Sequence, residues 1–133
     1  MINKSEEIAE QKHSDVGILT LRKDGIITFQ PQKGKTEHNV AAMKVEFDIF
    51  VDWAKDDLKG FLCDNRNLKK FESDVKVYAQ NNLHKFSDKL ALIVQSGISS
   101  FLTNFFIHLN RPKIPVKTFT DPQKALEWLK EEQ

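Results

Sequence analysis

Cysteine is nearly absent: Cys63 is the only one, so the chain cannot close a disulfide within itself. It lies in the apolar run Phe61-Leu62-Cys63, where nothing cationic flanks it, and this context points to a buried, inert thiol. No stretch approaches the roughly 20 apolar residues of a membrane span. The opening residues, Met1-Ile2-Asn3-Lys4-Ser5-Glu6-Glu7, lack the apolar centre of a signal peptide. The expectation is a cytoplasmic protein with no membrane insertion. Neither sign of charge dominates, since 20 basic residues face 19 acidic ones for a formal net charge of +1. A global field that would gather nucleic acid or anionic lipid is thereby excluded. Phosphate-binding and dinucleotide-binding glycine loops are missing. The histidines, His13, His38, His84 and His108, show no i,i+4 pairing and no zinc-like spacing with Cys63. No metal and no cofactor are expected.

What is present is enough for one core: 133 residues, 40% of them hydrophobic and 29% charged, the size of a single domain. Residues 1–15 are polar and read as a flexible or docking N-terminal arm, and residues 16–133 as the domain proper. From Gly17 the pattern alternates. Ile18-Leu19-Thr20-Leu21-Arg22 and Ile26-Ile27-Thr28-Phe29-Gln30 form a β-hairpin about Lys23-Asp24-Gly25. A three-residue loop with Gly25 left-handed pairs Leu21 with Ile27 and Leu19 with Phe29, which gathers the apolar residues on one face and leaves Thr20, Arg22, Thr28 and Gln30 outside. A two-residue turn would set Leu21 against Thr28 and Leu19 against Gln30, a poorer match.

Beyond Pro31, Thr36 is a candidate N-cap for a helix running to about residue 55 or 58. Phe61-Leu62-Cys63 is a short strand, and Ser73 caps a second helix. Leu90-Ala91-Leu92-Ile93-Val94 has the unbroken apolar character of a central strand covered on both faces. Gly97 opens a third helix with Phe101, Leu102, Phe105 and Leu109 on one face. After Pro115 comes a last strand over Val116 to Phe119, and Asp121-Pro122 starts a final helix with a carboxylate cap and a first-turn proline. The order ββαβαβαβα predicts an α/β fold: an N-terminal hairpin followed by βα units, giving a mainly parallel five-stranded sheet with four main helices.

Several segments carry a resemblance: Leu21-Arg22-Lys23-Asp24-Gly25-Ile26, Leu62-Cys63-Asp64, Ala91-Leu92-Ile93-Val94, residues 104–110, and Phe119-Thr120-Asp121 with Ala125-Leu126-Glu127-Trp128-Leu129. Together they resemble the small bacterial STAS/SEC14-like domains of SpoIIAA-like fold, over residues 17–133. The resemblance implies a partner-binding module. In the STAS branch a serine at a helix start is a phosphorylation switch, and the matching stretch here is Phe71-Glu72-Ser73-Asp74-Val75. Asp74 falls on the switch position and Val75 where a glycine is expected, so the match is poor, but a one-residue shift would place Ser73 there; Ser73 and Asp74 are the candidates for the phospho-switch region. The lipid-carrying branch implies a longer chain than this one.

In a wound sheet, ligands favour the loops at the carboxyl ends of strands. Asp64 and Arg66 there could form an acid/base or anion-binding pair, and Ser99 beside Gly97 could cradle a phosphate. The plainer reading is that Asp64 pairs with Arg66 and that Ser99 caps its helix. No catalytic residue is assigned. On the first long helix, Val40, Met43, Phe47, Phe50, Val51, Ala54 and Leu58 form one stripe, expected to face the core. Ala42, Val45, Ile49 and Trp53 form a second stripe that needs a cover, either from the chain itself or from a second molecule. Val45, Ile49 and Trp53 are the candidate partner-binding residues. The expected function is a non-catalytic protein-binding or regulatory module whose partner is unidentified, with self-association into a dimer. The competing reading is a small molecule or lipid in an apolar pocket lined by Phe101, Phe105 and Phe106.

Overall fold

The computed structural model describes residues 3–67, 72–95 and 113–131. Strands β1 (Ile8–His13), β2 (Gly17–Arg22), β3 (Ile27–Pro31), β4 (Lys59–Asp64), β5 (Ser87–Ile93) and β6 (Val116–Phe119) form one sheet in sequential order. β1–β2 and β2–β3 pair antiparallel, and the three remaining pairs are parallel. Helices α1 (Val40–Ala54), α2 (Ser73–Asn82) and α3 (Pro122–Lys130) are the α-helices among the described residues. This corrects the expected architecture, since the sheet is six-stranded and mixed rather than five-stranded and mainly parallel, and three helices rather than four are described. The helix expected from Gly97, with Phe101, Phe105 and Phe106, lies outside the described residues.

The extra strand is the segment that the sequence presents as an arm. Ile8-Ala9-Glu10-Gln11-Lys12-His13 lacks the apolar alternation that marks a half-buried strand. It is held by its backbone, which pairs with β2 from His13↔Ile18 to Ile8↔Arg22 across a bulge between Ile8 and Glu10. Edge strands need no apolar face for such pairing, and charged residues are common on them.

The hairpin register matches its expectation. Leu19 pairs with Phe29 and Leu21 with Ile27. Gly25 has φ +87° in the loop, closed by Arg22 N–H to the Ile26 carbonyl; a Cβ is unfavourable in that region. The far face is different from the expectation, for Thr20, Arg22 and Thr28 are buried. Both faces of the sheet are covered, and these polar side chains tolerate burial because they are hydrogen-bonded.

One face packs against α1 and α2 through Leu19, Ile27, Phe29, Phe61, Leu90 and Leu92. At its centre Phe50 is fully enclosed, with the rings of Phe61 and Phe86 at 5.2 and 5.0 Å, spacings at which aromatic pairs attract beyond simple burial. The other face packs Ile26, Leu62, Ala91 and Ile93 against Ala125, Leu126 and Leu129 of α3.

Helix ends follow local chemistry. Asn39, not Thr36, caps α1 by accepting the Ala42 N–H, and Lys55 ends it in the left-handed region. Glu72 occupies the N-cap position of α2, so Ser73 is its first helical residue. Asp121 caps α3 with Pro122 in its first turn, as its sequence implies. At the other end of α3 the buried Lys89 ammonium donates to the carbonyls of Trp128 (2.6 Å) and Glu131 (3.0 Å), placing a cation where the helix dipole is negative. Among the described residues no helix is long and apolar enough to cross a membrane.

Candidate functional site

The parallel strands β3 to β6 direct their carboxyl ends to one rim of the sheet, and the sequence-nominated polar residues of β4 sit there. Asp64 is buried, and its two oxygens accept Arg66 N–H, Nε–H and Nη2–H at 3.0, 3.0 and 2.7 Å. The plainer reading of this pair is the observed one, an ion pair that also closes a local turn. Beside it the half-buried Cys63 thiol donates to Asn65 Oδ1 at 3.2 Å. Burial, with further pressure from the Asp64 and Glu46 carboxylates, pushes this thiol well above its ordinary range. A thiol held protonated is a poor nucleophile. Ser99 lies outside the described residues.

Sequence reasoning missed a second group on this rim. Glu46 is buried inside α1, its carboxylate accepting Ser14 Oγ–H at 2.7 Å and facing His38 Nε2 at 2.9 Å. A carboxylate only accepts, so His38 Nε2–H is the donor to Glu46, while Nδ1 lies 2.9 Å from Asn39 N and 3.1 Å from the Asn39 carbonyl. Three elements are tied by this one carboxylate: the β1–β2 turn, the segment before α1, and α1 itself. Ser14 bonds the carboxylate rather than the imidazole, so a serine nucleophile activated by histidine is not assembled. A signal was available in the sequence, because Glu46 interrupts the stripe of Met43, Phe47 and Phe50 at helical spacing.

A third polar cluster lies on the α3 face. The buried Arg22 guanidinium donates to Asn3 Oδ1 (2.9 Å), Glu7 (2.7 Å) and Asp24 (2.9 Å), while Asn3 donates to Thr28 Oγ1 at 2.9 Å. Partial burial resists ionisation of Asp24, but the Arg22 hydrogen bonds win and lower it; the hydrogen bond from Arg22 likewise lowers the half-buried Glu7. The cluster joins the residues ahead of β1 to the hairpin.

The candidate partner-binding residues divide. Trp53 is buried, its indole N–H donating to the Glu10 carboxylate of β1. Ile49 is half-buried against the core, and Val45 is 55% exposed. Ala42, placed with them by sequence, is buried, whereas Val51 and Leu58 from the expected core stripe are exposed. The inward face of α1 is therefore rotated toward the Trp53 side, because β1 extends the sheet beneath it. Part of the cover that the second stripe required comes from the chain's own edge strand.

The flank of α1 carrying Val45, Ile49 and Trp53 at four-residue spacing consequently looks toward the β1 edge. That edge is open: Ala9 to His13 are all exposed. Ser14 N–H bonds to the Gly17 carbonyl, and by antiparallel alternation Lys12 and Glu10 also direct their backbone groups to β2. The backbone groups of Gln11 and His13 point outward. Ser73 and Asp74 sit elsewhere, exposed in the first turn of α2, with Asp74 Oδ1 accepting the Val75 N–H.

Among the described residues, these features define a three-layer α/β domain with a mixed sheet, an open antiparallel edge and a rim whose polar groups engage one another. The chain belongs to a family described as a domain of unknown function, DUF7793, whose profile matches residues 19–133. That match begins inside β2 and leaves β1 outside it. No curated protein and no solved structure matches the chain.

Proposed function

We propose that this domain acts by binding another protein, as a regulatory module of the STAS-like type, and that it does so through the β1 edge and the adjoining flank of α1. The observation that carries the reading is the open edge: a strand exposed from Ala9 to His13, beside the exposed apolar Val45. An unpaired row of backbone donors and acceptors is a template for strand addition. The polar groups at the carboxyl rim support the same reading. Asp64 is held by Arg66, Glu46 by Ser14 and His38, and the Cys63 thiol is held protonated. A cytoplasmic setting, which suits a lone protonated thiol, belongs to this proposal.

The test uses Gln11→Pro. Proline removes an outward N–H that β2 does not use, so edge addition is impeded while the β1–β2 backbone pairing is left in place; the one tie to β2 that it removes is the Gln11 amide donated to Thr20 Oγ1. Affinity capture from source-cell lysate with wild-type bait is expected to enrich proteins that the variant loses, with circular dichroism showing the variant folded. An identical captured set for both baits refutes the reading.

A further inference from the structure

Resting on that reading of the edge, we infer that the occupant is a second copy of this chain, joined so that β1 pairs antiparallel with β1 of its mate about a two-fold axis through Gln11. Beyond the bulge, the regular part of β1 is Glu10-Gln11-Lys12-His13, and this stretch is self-complementary in charge. With the axis at Gln11, Glu10 of each copy lies opposite Lys12 of the other. Glu10 and Lys12 share one face of the strand and lie 3.9 Å apart within the chain, each about half exposed. The two copies would therefore set four alternating charges side by side.

Competing registers fail on the same residues. An axis perpendicular to the sheet keeps like faces together, so the register can move only in steps that carry the axis to Glu10 or to Lys12. Either shift places two identical charges directly opposite, which is destabilising across a strand pair. The backbone agrees with the axis at Gln11, because its N–H and C=O point outward and can exchange both bonds with the same residue of the mate.

The helix layer agrees as well. A two-fold at the β1 edge extends the sheet to twelve strands and brings the two α1 flanks toward each other over the junction. Those flanks carry Val45, 55% exposed, and the half-buried Ile49, which supply apolar surface for the two helices to share.

Light scattering over a concentration series tests this directly. The wild-type chain is expected to reach twice its 15.4 kDa mass. Lys12→Glu, with acidic residues at 10 and 12, and Glu10→Lys, with basic ones, should each weaken the dimer at least tenfold. Mixing these two variants should restore a dimer containing one of each, which no folding defect could produce. A wild-type chain that stays monomeric at millimolar concentration overturns the inference, as does a dimer unaffected by either variant. If that monomer still captures proteins that Gln11→Pro loses, self-pairing fails while the protein-binding reading stands. If it captures none, both fail.

Discussion

Replacing Glu46 with leucine should destabilise the domain far more than an exposed carboxylate would, and replacing His38 as well should return part of the loss. Both side chains are almost wholly buried, 2% and 3% exposed, with the carboxylate 2.9 Å from Nε2. Glu46→Leu strands the His38 Nε2–H without an acceptor, which costs about 1–3 kcal/mol. It also removes the charge-assisted bond from Ser14, worth about 1.5–3 kcal/mol before relaxation. The Ser14 hydroxyl recovers some of this, since it accepts the Val16 and Gly17 N–H groups and lies 3.5 Å from the Gly17 carbonyl. The balance is about 2–4 kcal/mol, a large part of the roughly 5–15 kcal/mol that holds a domain folded. With a urea slope of about 2 kcal/mol per molar, the unfolding midpoint should fall by about 1–2 M. His38→Leu leaves the carboxylate buried and undercompensated and should cost a similar amount. In the double variant neither polar group remains to be stranded, so its loss should be at least about 1 kcal/mol smaller than the sum of the singles. Equilibrium unfolding of the four proteins reads this cycle. Additivity within about 0.5 kcal/mol would refute the reasoning, because it would mean that the two groups do not depend on each other.

Acid should release the Arg22 cluster: Asp24 and Glu7 are lowered from 3.8 and 4.5, so their contribution is complete above those values and is lost as pH falls through the lower folded ones. Arg22→Met should flatten that part of a stability-against-pH curve, and an unchanged curve contradicts the assignment. Cys63 should react with a thiol reagent much more slowly in the folded protein than in denaturant at pH 8, and equal rates would show the thiol to be ionised and accessible. Gly17→Ala would set a Cβ 2.2 Å from the Phe29 ring, an overpacking cost of about 1–3 kcal/mol that thermal unfolding should register.

Much of the fold is legible in local residue order. The loop Lys23-Asp24-Gly25, the pairing of Leu19 with Phe29, the buried strand through Leu92, which lies next to the sheet's edge rather than at its centre, and the Asp121-Pro122 helix start all follow from turn chemistry, alternation and capping. These are interactions between near neighbours or between two strands joined by a short turn. β1 was not legible, because an edge strand is made by backbone pairing with β2 and its polar side chains carry no periodic mark. The same is true of the buried polar groups. Arg22, Glu46 and Lys89 look like surface residues until their partners arrive from 15, 32 and 42 positions away, at Glu7, Ser14 and Glu131.

The sequence by itself determined which segments are strands of the inner sheet, how the hairpin is registered and where the last helix begins, since each depends on side chains close together along the chain. Only the tertiary structure decided that a polar N-terminal segment becomes the sheet's edge, that Trp53 turns inward against it, and that charged side chains such as Arg22, Glu46 and Lys89 are buried. Burying a charge is costly unless another group meets it in space, and no local pattern encodes where that group will be.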